Sequence, residues 1–186
     1  MSIMEPNELD QIRKLKRGDR SLFRELVLKY QDRIFNLCLY MLGNRHDAED
    51  AAQETFLKAF RNVESFEPRV PLYTWIFRIG INTCLDHKKK AFSRHQRSYV
   101  DFESITKEIP SLSSPENHLQ IIELTESVQK ALLELPVKLR SVIILKEVEG
   151  LPYEEISRVL KISIGTVKSR ISRAREQLRK KLRNKI

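Results

Sequence analysis

Pro152-Tyr153-Glu154-Glu155-Ile156-Ser157-Arg158-Val159-Leu160, then Lys161-Ile162-Ser163, then Ile164-Gly165-Thr166-Val167-Lys168-Ser169-Arg170-Ile171-Ser172-Arg173-Ala174-Arg175 is the stretch on which the fold turns. Its first part has the period of a short helix entered at a proline, its second is a three-residue turn, and its third opens a longer helix. That spacing predicts a helix-turn-helix. Ile156, Val159, Leu160 and Ile162 are expected to pack inward from the first helix and turn, and Ile164, Val167, Ile171, Ala174, Leu178 and Leu182 from the second. The remaining faces carry Lys168, Ser169, Arg170, Ser172, Arg173, Arg175 and Arg179. Ser163 is placed to cap the second helix, with amides near Gly165 and Thr166 left for a phosphate. A recognition helix meets base edges mainly with its N-terminal residues. Lys168, Ser169 and Arg173 are therefore expected in the groove, and Arg170 and Arg175 on phosphates.

Working outward, residues 126–186 hold 15 basic side chains against 7 acidic ones, whereas residues 1–90 hold 16 against 13 and residues 91–125 hold 3 against 5. Most of the formal +9 thus belongs to the segment with the helix-turn-helix, which points to a polyanionic partner. Residues 91–125 include Pro110-Ser111-Leu112-Ser113-Ser114-Pro115 and show no sustained period, so they read as a flexible linker. A chain of 186 residues with 32% charged and 41% apolar side chains supports two modest cores. Five glycines argue against Rossmann or P-loop chemistry. No run approaches the ~20 apolar residues of a membrane span, and residues 1–10 lack a signal-peptide core, so a cytoplasmic protein is expected. Cys38 and Cys84 stand far apart with no metal-ligand spacing around them, and are expected to be reduced core residues.

In residues 20–42, Leu22, Phe23, Leu26, Val27, Tyr30, Ile34, Leu37, Cys38 and Met41 form one helical stripe, stopped at Gly43. From Asp47 to Phe60 the stripe is Ala48, Ala51, Ala52, Thr55, Phe56, Ala59 and Phe60; from Leu72 it is Leu72, Trp75, Ile76, Ile79 and Thr83, with a loop at 61–71 between them. The fold class is therefore all-α: two small helical domains joined by a flexible linker, the C-terminal one containing the helix-turn-helix. Opposite the alanine stripe, Asp47, Asp50 and Glu54, with Gln53 beside them, share one helix face. That face is either a solvated helix N-terminus or a docking surface for a basic partner. On the next helix Arg78, Asn82, Asp86 and Lys89 line the face away from the core, and a mid-helix asparagine has low helix propensity and a side chain able to pair with a base edge.

With these motifs in hand, the sequence resembles the bacterial sigma factors of RNA polymerase, specifically the short extracytoplasmic-function group. Asp47-Ala48-Glu49-Asp50-Ala51-Ala52-Gln53-Glu54-Thr55-Phe56 is similar to the family's core-polymerase-binding helix, and Tyr73-Thr74-Trp75-Ile76-Phe77-Arg78-Ile79-Gly80-Ile81-Asn82 to the helix that melts and reads the minus-ten element. Leu135-Pro136, Arg140 and Gly165-Thr166-Val167-Lys168-Ser169-Arg170-Ile171, followed by Arg173-Ala174-Arg175, resemble the minus-thirty-five module.

The resemblance implies a transcription initiation factor rather than an enzyme. It would bind core RNA polymerase, direct it to specific promoters and promote DNA opening, with residues 1–90 as region 2, 91–125 as linker and 126–186 as region 4. Asp47, Asp50, Gln53 and Glu54 would contact the coiled coil of the largest polymerase subunit, and region 4 the flap. Arg61, Asn62, Phe66, Arg78, Asn82 and Lys89 would serve the minus-ten DNA, with Asn82 and the loop around Arg61, Asn62 and Phe66 holding a flipped base. Thr166, Lys168, Ser169, Arg170, Arg173 and Arg175 would serve the minus-thirty-five DNA. The linker would thread the polymerase channels, and an anti-sigma factor is implied as a partner, holding the protein at the membrane in some relatives. No cofactor or metal is expected. Lys168 stands where some relatives have arginine, and lysine cannot make the bidentate fork to guanine. An ordinary helix-turn-helix activator would explain the basic C-terminal module but leave the acidic helix idle. A nuclease would need clustered metal ligands, which the scattered histidines do not supply.

Overall fold

A computed structural model describes residues 6–95 and 127–183, and among them every regular element is helical. The linker motif around Pro110–Pro115 lies outside the described residues. The N-terminal unit comprises α1 (Pro6–Lys16), α2 (Arg20–Leu42), α3 (Arg45–Asn62), a short 3-10 turn at Val63–Ser65 and α4 (Leu72–His95). The loop expected at 61–71 therefore contains a helical turn, and α4 continues past the expected boundary at residue 90.

Helix α2 occupies the span its periodicity predicts, because both ends carry local stop signals. Asp19 accepts a hydrogen bond from the Leu22 amide at 3.0 Å, satisfying one of the open donors of the first turn. Gly43 at φ 92° donates to the Leu39 carbonyl at 2.8 Å, a left-handed cap that a side chain would strain. The next residue, Asn44, caps α3 by accepting from the Asp47 amide at 2.7 Å, so α3 folds straight back against α2. Ala48, Ala51, Ala52 and Ala59 let the two axes approach, and Gly80 does the same for α4, where an added Cβ would sit 3.1 Å from Leu37. Cys38 and Cys84 are free thiols buried in this core, and their mutual contact, with burial adding to it, pushes the Cys38 thiol up. The start of α4 is capped from a distance, the Leu72 amide donating to Glu8 of α1 at 3.1 Å.

The C-terminal unit comprises α5 (from 127 to 133), α6 (Val137–Ile143), α7 (Tyr153–Leu160) and α8 (Ile164–Arg183). Helix α6 runs into one wide turn, Ile144–Val148, closed by the Glu149 amide on the Ile144 carbonyl at 3.1 Å. Wide turns of this kind re-aim side chains; here Glu147 and Glu149 find partners on different elements. Pro152 starts α7 without a side-chain cap, and Lys161 ends it at φ 53°. The three-residue turn expected between α7 and α8 is present, and Ile156, Val159, Val167, Ile171 and Ala174 are buried beneath it. Ile164, expected on the inner stripe, is 40% exposed: the helix begins there and its first side chain overhangs the core. Among the described residues the two units meet where α7 packs on α4 and where α6 and the wide turn pack on α2.

Candidate functional site

The basic face of α8 is built from its first turn. Ser163 accepts the Thr166 amide at 3.1 Å, its hydroxyl meets that of Thr166 at 2.8 Å, and Ser169 donates to the Thr166 carbonyl at 3.1 Å. The cap is thus as the sequence predicts, with one correction: the Thr166 amide is engaged by Ser163 and is not free for a phosphate. Lys168, Ser169 and Arg173 are exposed in the first half of the helix, and Arg170 is half-buried on one flank. Arg175 is a second correction. Its guanidinium places Nη2 and Nε 2.6 and 3.0 Å from one carboxylate oxygen of Glu147, which raises its pKa further above an already basic value. A phosphate would have to displace that exposed, salt-sensitive pair.

On α4, Asn82 and Lys89 are exposed, Arg78 is half-buried beside them, and Asp86 is drawn toward Lys58 of α3 at 3.7 Å. Arg61 and Asn62 are exposed at the end of α3, and the Asn62 amide nitrogen donates to the Lys58 carbonyl at 2.7 Å. Phe66 does not join them. Its ring is 2% exposed and packs on Trp75 with centroids 5.0 Å apart. Exposing it would cost about 1.5–3 kcal/mol, which stacking on a base, at about 1–3 kcal/mol, would do no more than offset. Phe66 therefore anchors the loop under Trp75 and is corrected from a base contact to a core residue.

The acidic face of α3 is more compensated than its sequence suggests. Asp47 accepts from the Asn44 side-chain amide at 2.6 Å and belongs to the helix cap. Glu54 lies 2.9 Å from Lys58 and 2.8 Å from His87 of α4, and these partners hold its carboxyl at about 2. Asp50, whose one ion-pair partner among the described residues is His46 at 3.7 Å, and Gln53 remain outward. The face continues into two side chains that the sequence reading missed or misplaced. Leu57 is 53% exposed, and Phe60, expected on the buried stripe, is 42% exposed with its ring 5.0 Å from Phe23. The missed signal was spacing, since Leu57 follows Gln53 by one helical turn and Asp50 by two.

In the C-terminal unit, Val128, Leu132, Ile143, Ile144, Val148 and Leu178 line an open groove of about 300 Å³ rimmed by the Glu147 and Arg175 pair. Among the described residues no His, Cys, Asp or Glu cluster could hold a metal ion, and no helix is long and apolar enough to cross a membrane.

The sequence matches two known families, described as "Sigma-70 region 2" over residues 26–94 and "Sigma-70, region 4" over residues 125–178. It is 40% identical over 181 residues to the ECF RNA polymerase sigma factor SigW of Bacillus subtilis, covering 93% of this chain and 95% of that one. It is 36% identical over 177 residues to the ECF RNA polymerase sigma-E factor of Escherichia coli, covering 92% of each. The fold is similar to that of the sigma factor RpoE of Bartonella quintana, solved with the anti-sigma factor NepR, with TM-score 0.72, 29% identity, and coverage of 87% of this chain and 96% of that one. CnrH, solved with the cytosolic domain of CnrY, shares the fold at TM-score 0.71 and 23% identity, over 95% and 97% of the two chains.

Proposed function

From the premise that this chain belongs to the extracytoplasmic-function sigma factors of RNA polymerase, we propose a division of labour among its residues. The chain is an alternative sigma factor that directs RNA polymerase to promoters. Asp50, Gln53 and Leu57, flanked by Phe60, form the docking face for the largest-subunit coiled coil, a charged patch with an apolar anchor. Asp47 supports that face as a cap, and Glu54 by tying α3 to α4. The groove lined by Leu132, Ile144 and Leu178 takes the flap. Asn82, Arg78 and Lys89, with Arg61 and Asn62, serve the minus-ten DNA. Lys168, Ser169 and Arg173 read the minus-thirty-five element, while Arg170 and, after leaving Glu147, Arg175 approach phosphates, and Thr166 holds the first turn of the reading helix through Ser163 and Ser169. The observation that carries this reading is that one helix presents Asp50, Gln53 and Leu57 outward together, a surface an activator or nuclease would not need. The protein works in the cytoplasm, and an anti-sigma factor of the kind bound to RpoE covers the same surfaces.

The test is transcription by bacterial core polymerase, with and without the protein, on a promoter library whose transcript starts are sequenced. Promoter-specific starts that depend on the protein are expected. Asp50→Lys combined with Gln53→Lys should abolish polymerase binding while the helical circular-dichroism signal stays unchanged. Unchanged affinity in that double variant would remove the assignment of α3.

A further inference from the structure

Among the described residues a positive φ falls on Gly18, Gly43 and Gly150, and on one residue with a side chain, Lys161 at φ 53°. In that left-handed conformation a β-carbon crowds the following carbonyl oxygen, a strain that glycine escapes. The turn of a helix-turn-helix often holds a glycine for this reason. The strain persists here because Ser157 fixes the turn twice over. Its carbonyl accepts from the amides of Lys161 and of Ile162, the latter at 3.1 Å, and its hydroxyl donates to the Ile162 carbonyl at 2.5 Å. The Lys161 side chain, by contrast, is exposed, and among the described residues its ammonium has neither an ion pair nor a hydrogen bond. A cation at the end of α7 does meet the negative pole of that helix. An exposed charge so placed stabilises by less than left-handed strain destabilises. Neither packing nor pairing therefore accounts for a lysine at this position.

Its place in the motif does. In a helix-turn-helix the first helix crosses the nucleic-acid backbone and the second enters the major groove, so the turn between them stands at the groove edge beside the phosphates. Lys161 lies two residues before Ser163, which accepts the Thr166 amide at 3.1 Å, and exposed Lys168, Ser169 and Arg173 follow on α8. Residues 157–175 hold six basic side chains and no acidic one, so nothing in that stretch competes with a phosphate for the ammonium. We propose that Lys161 is a further DNA contact of this protein: its ammonium binds a backbone phosphate at the groove edge and sets the register in which Lys168, Ser169 and Arg173 meet the bases. This role deepens, and rests on, the minus-thirty-five reading of α8. A phosphate carries no sequence information, so Lys161 is a positioning contact that serves every promoter alike. The contact asks for a point charge on a fixed turn, which an arginine can also supply.

The experiment measures binding of the full chain, assembled with core polymerase, to labelled promoter duplexes recovered from the transcription library, at about 50 to 200 mM salt. Glycine and asparagine both suit a left-handed turn, so Lys161→Gly and Lys161→Asn should melt at or above the parent temperature. Both should bind about 5- to 10-fold more weakly near 0.1 M salt, because one phosphate contact contributes about 0.9 to the salt slope. That slope should flatten by about 1, equally on promoters that differ in the minus-thirty-five sequence. Lys161→Arg should bind as the parent does. An unchanged slope in both variants, a loss confined to one promoter sequence, or a loss accompanied by a lower melting temperature in both overturns the assignment. If the parent complex itself shows no promoter-specific binding, the sigma-factor reading falls and the role of Lys161 with it. Parent binding that both variants match removes Lys161 alone.

Discussion

Glu54 illustrates how one residue can look like a docking contact and be held as a structural tie. Lys58 and His87 lower its carboxyl from the ordinary 4.5 to about 2, so the tie between α3 and α4 contributes fully above about pH 4.5 and is lost as pH falls from there toward 2. Amide exchange in α3 and α4 should therefore accelerate as acid is added below about pH 4.5, and Glu54→Gln should lack that component; an identical acid response in both proteins would remove the tie. Arg173 is exposed and, among the described residues, has none of the partners that occupy Arg175. Arg173→Ala should weaken initiation that depends on the minus-thirty-five element by ~1–3 kcal/mol if it reads a base. A loss equal on every promoter sequence would make it a phosphate contact.

At the scale of the element, the ends of helices decide what the middles can do. Ser163 anchors Thr166, and Thr166 anchors Ser169, so Ser163→Ala should cost ~0.5–2 kcal/mol in thermal unfolding and loosen the start of the recognition helix. Gly43 is constrained twice, by φ 92° and by Leu133, whose Cδ1 would lie 2.5 Å from an added Cβ. Gly18 has a similar φ of 84° but open space around it. Gly18→Ala should thus show left-handed strain alone, ~1–2 kcal/mol, and Gly43→Ala should be destabilised further. Equal melting losses in the two variants would mean that Leu133 yields freely. The α2 span was legible in the sequence because its cap and stop are both local. The start of α4 was less so: its distant cap, Glu8, lies 64 residues from Leu72.

For the whole molecule, the packing of the two units carries a proton signature. Lys88 is held down to about 8 by burial, with Arg140 from the other unit adding repulsion and Cys84 on its own helix opposing the shift slightly. A lysine depressed below its ordinary 10.5 penalises the folded form most below about pH 8, and that penalty fades as pH rises toward 10.5. The melting temperature should rise between about pH 8 and 9.5, below the range where Tyr73, pushed up to about 12, begins to matter. Lys88→Met should flatten that rise; a rise that persists in the variant would assign it to another group.

The sequence alone determined the all-α class, the helix-turn-helix, the α2 span and the basic C-terminal unit, because each depends on periodicity, turn residues and charge close together in the chain. Tertiary structure decided that Phe66 is core, that Leu57 and Phe60 face outward, that Arg175 is occupied, and that Arg140 joins the two units. Those outcomes depend on which neighbour a side chain meets across 28 residues for Arg175 and Glu147, or 99 for Arg140 and Met41. Local period ranks the faces of a helix by polarity, but only packing decides which apolar side chain is covered and which charge finds a partner.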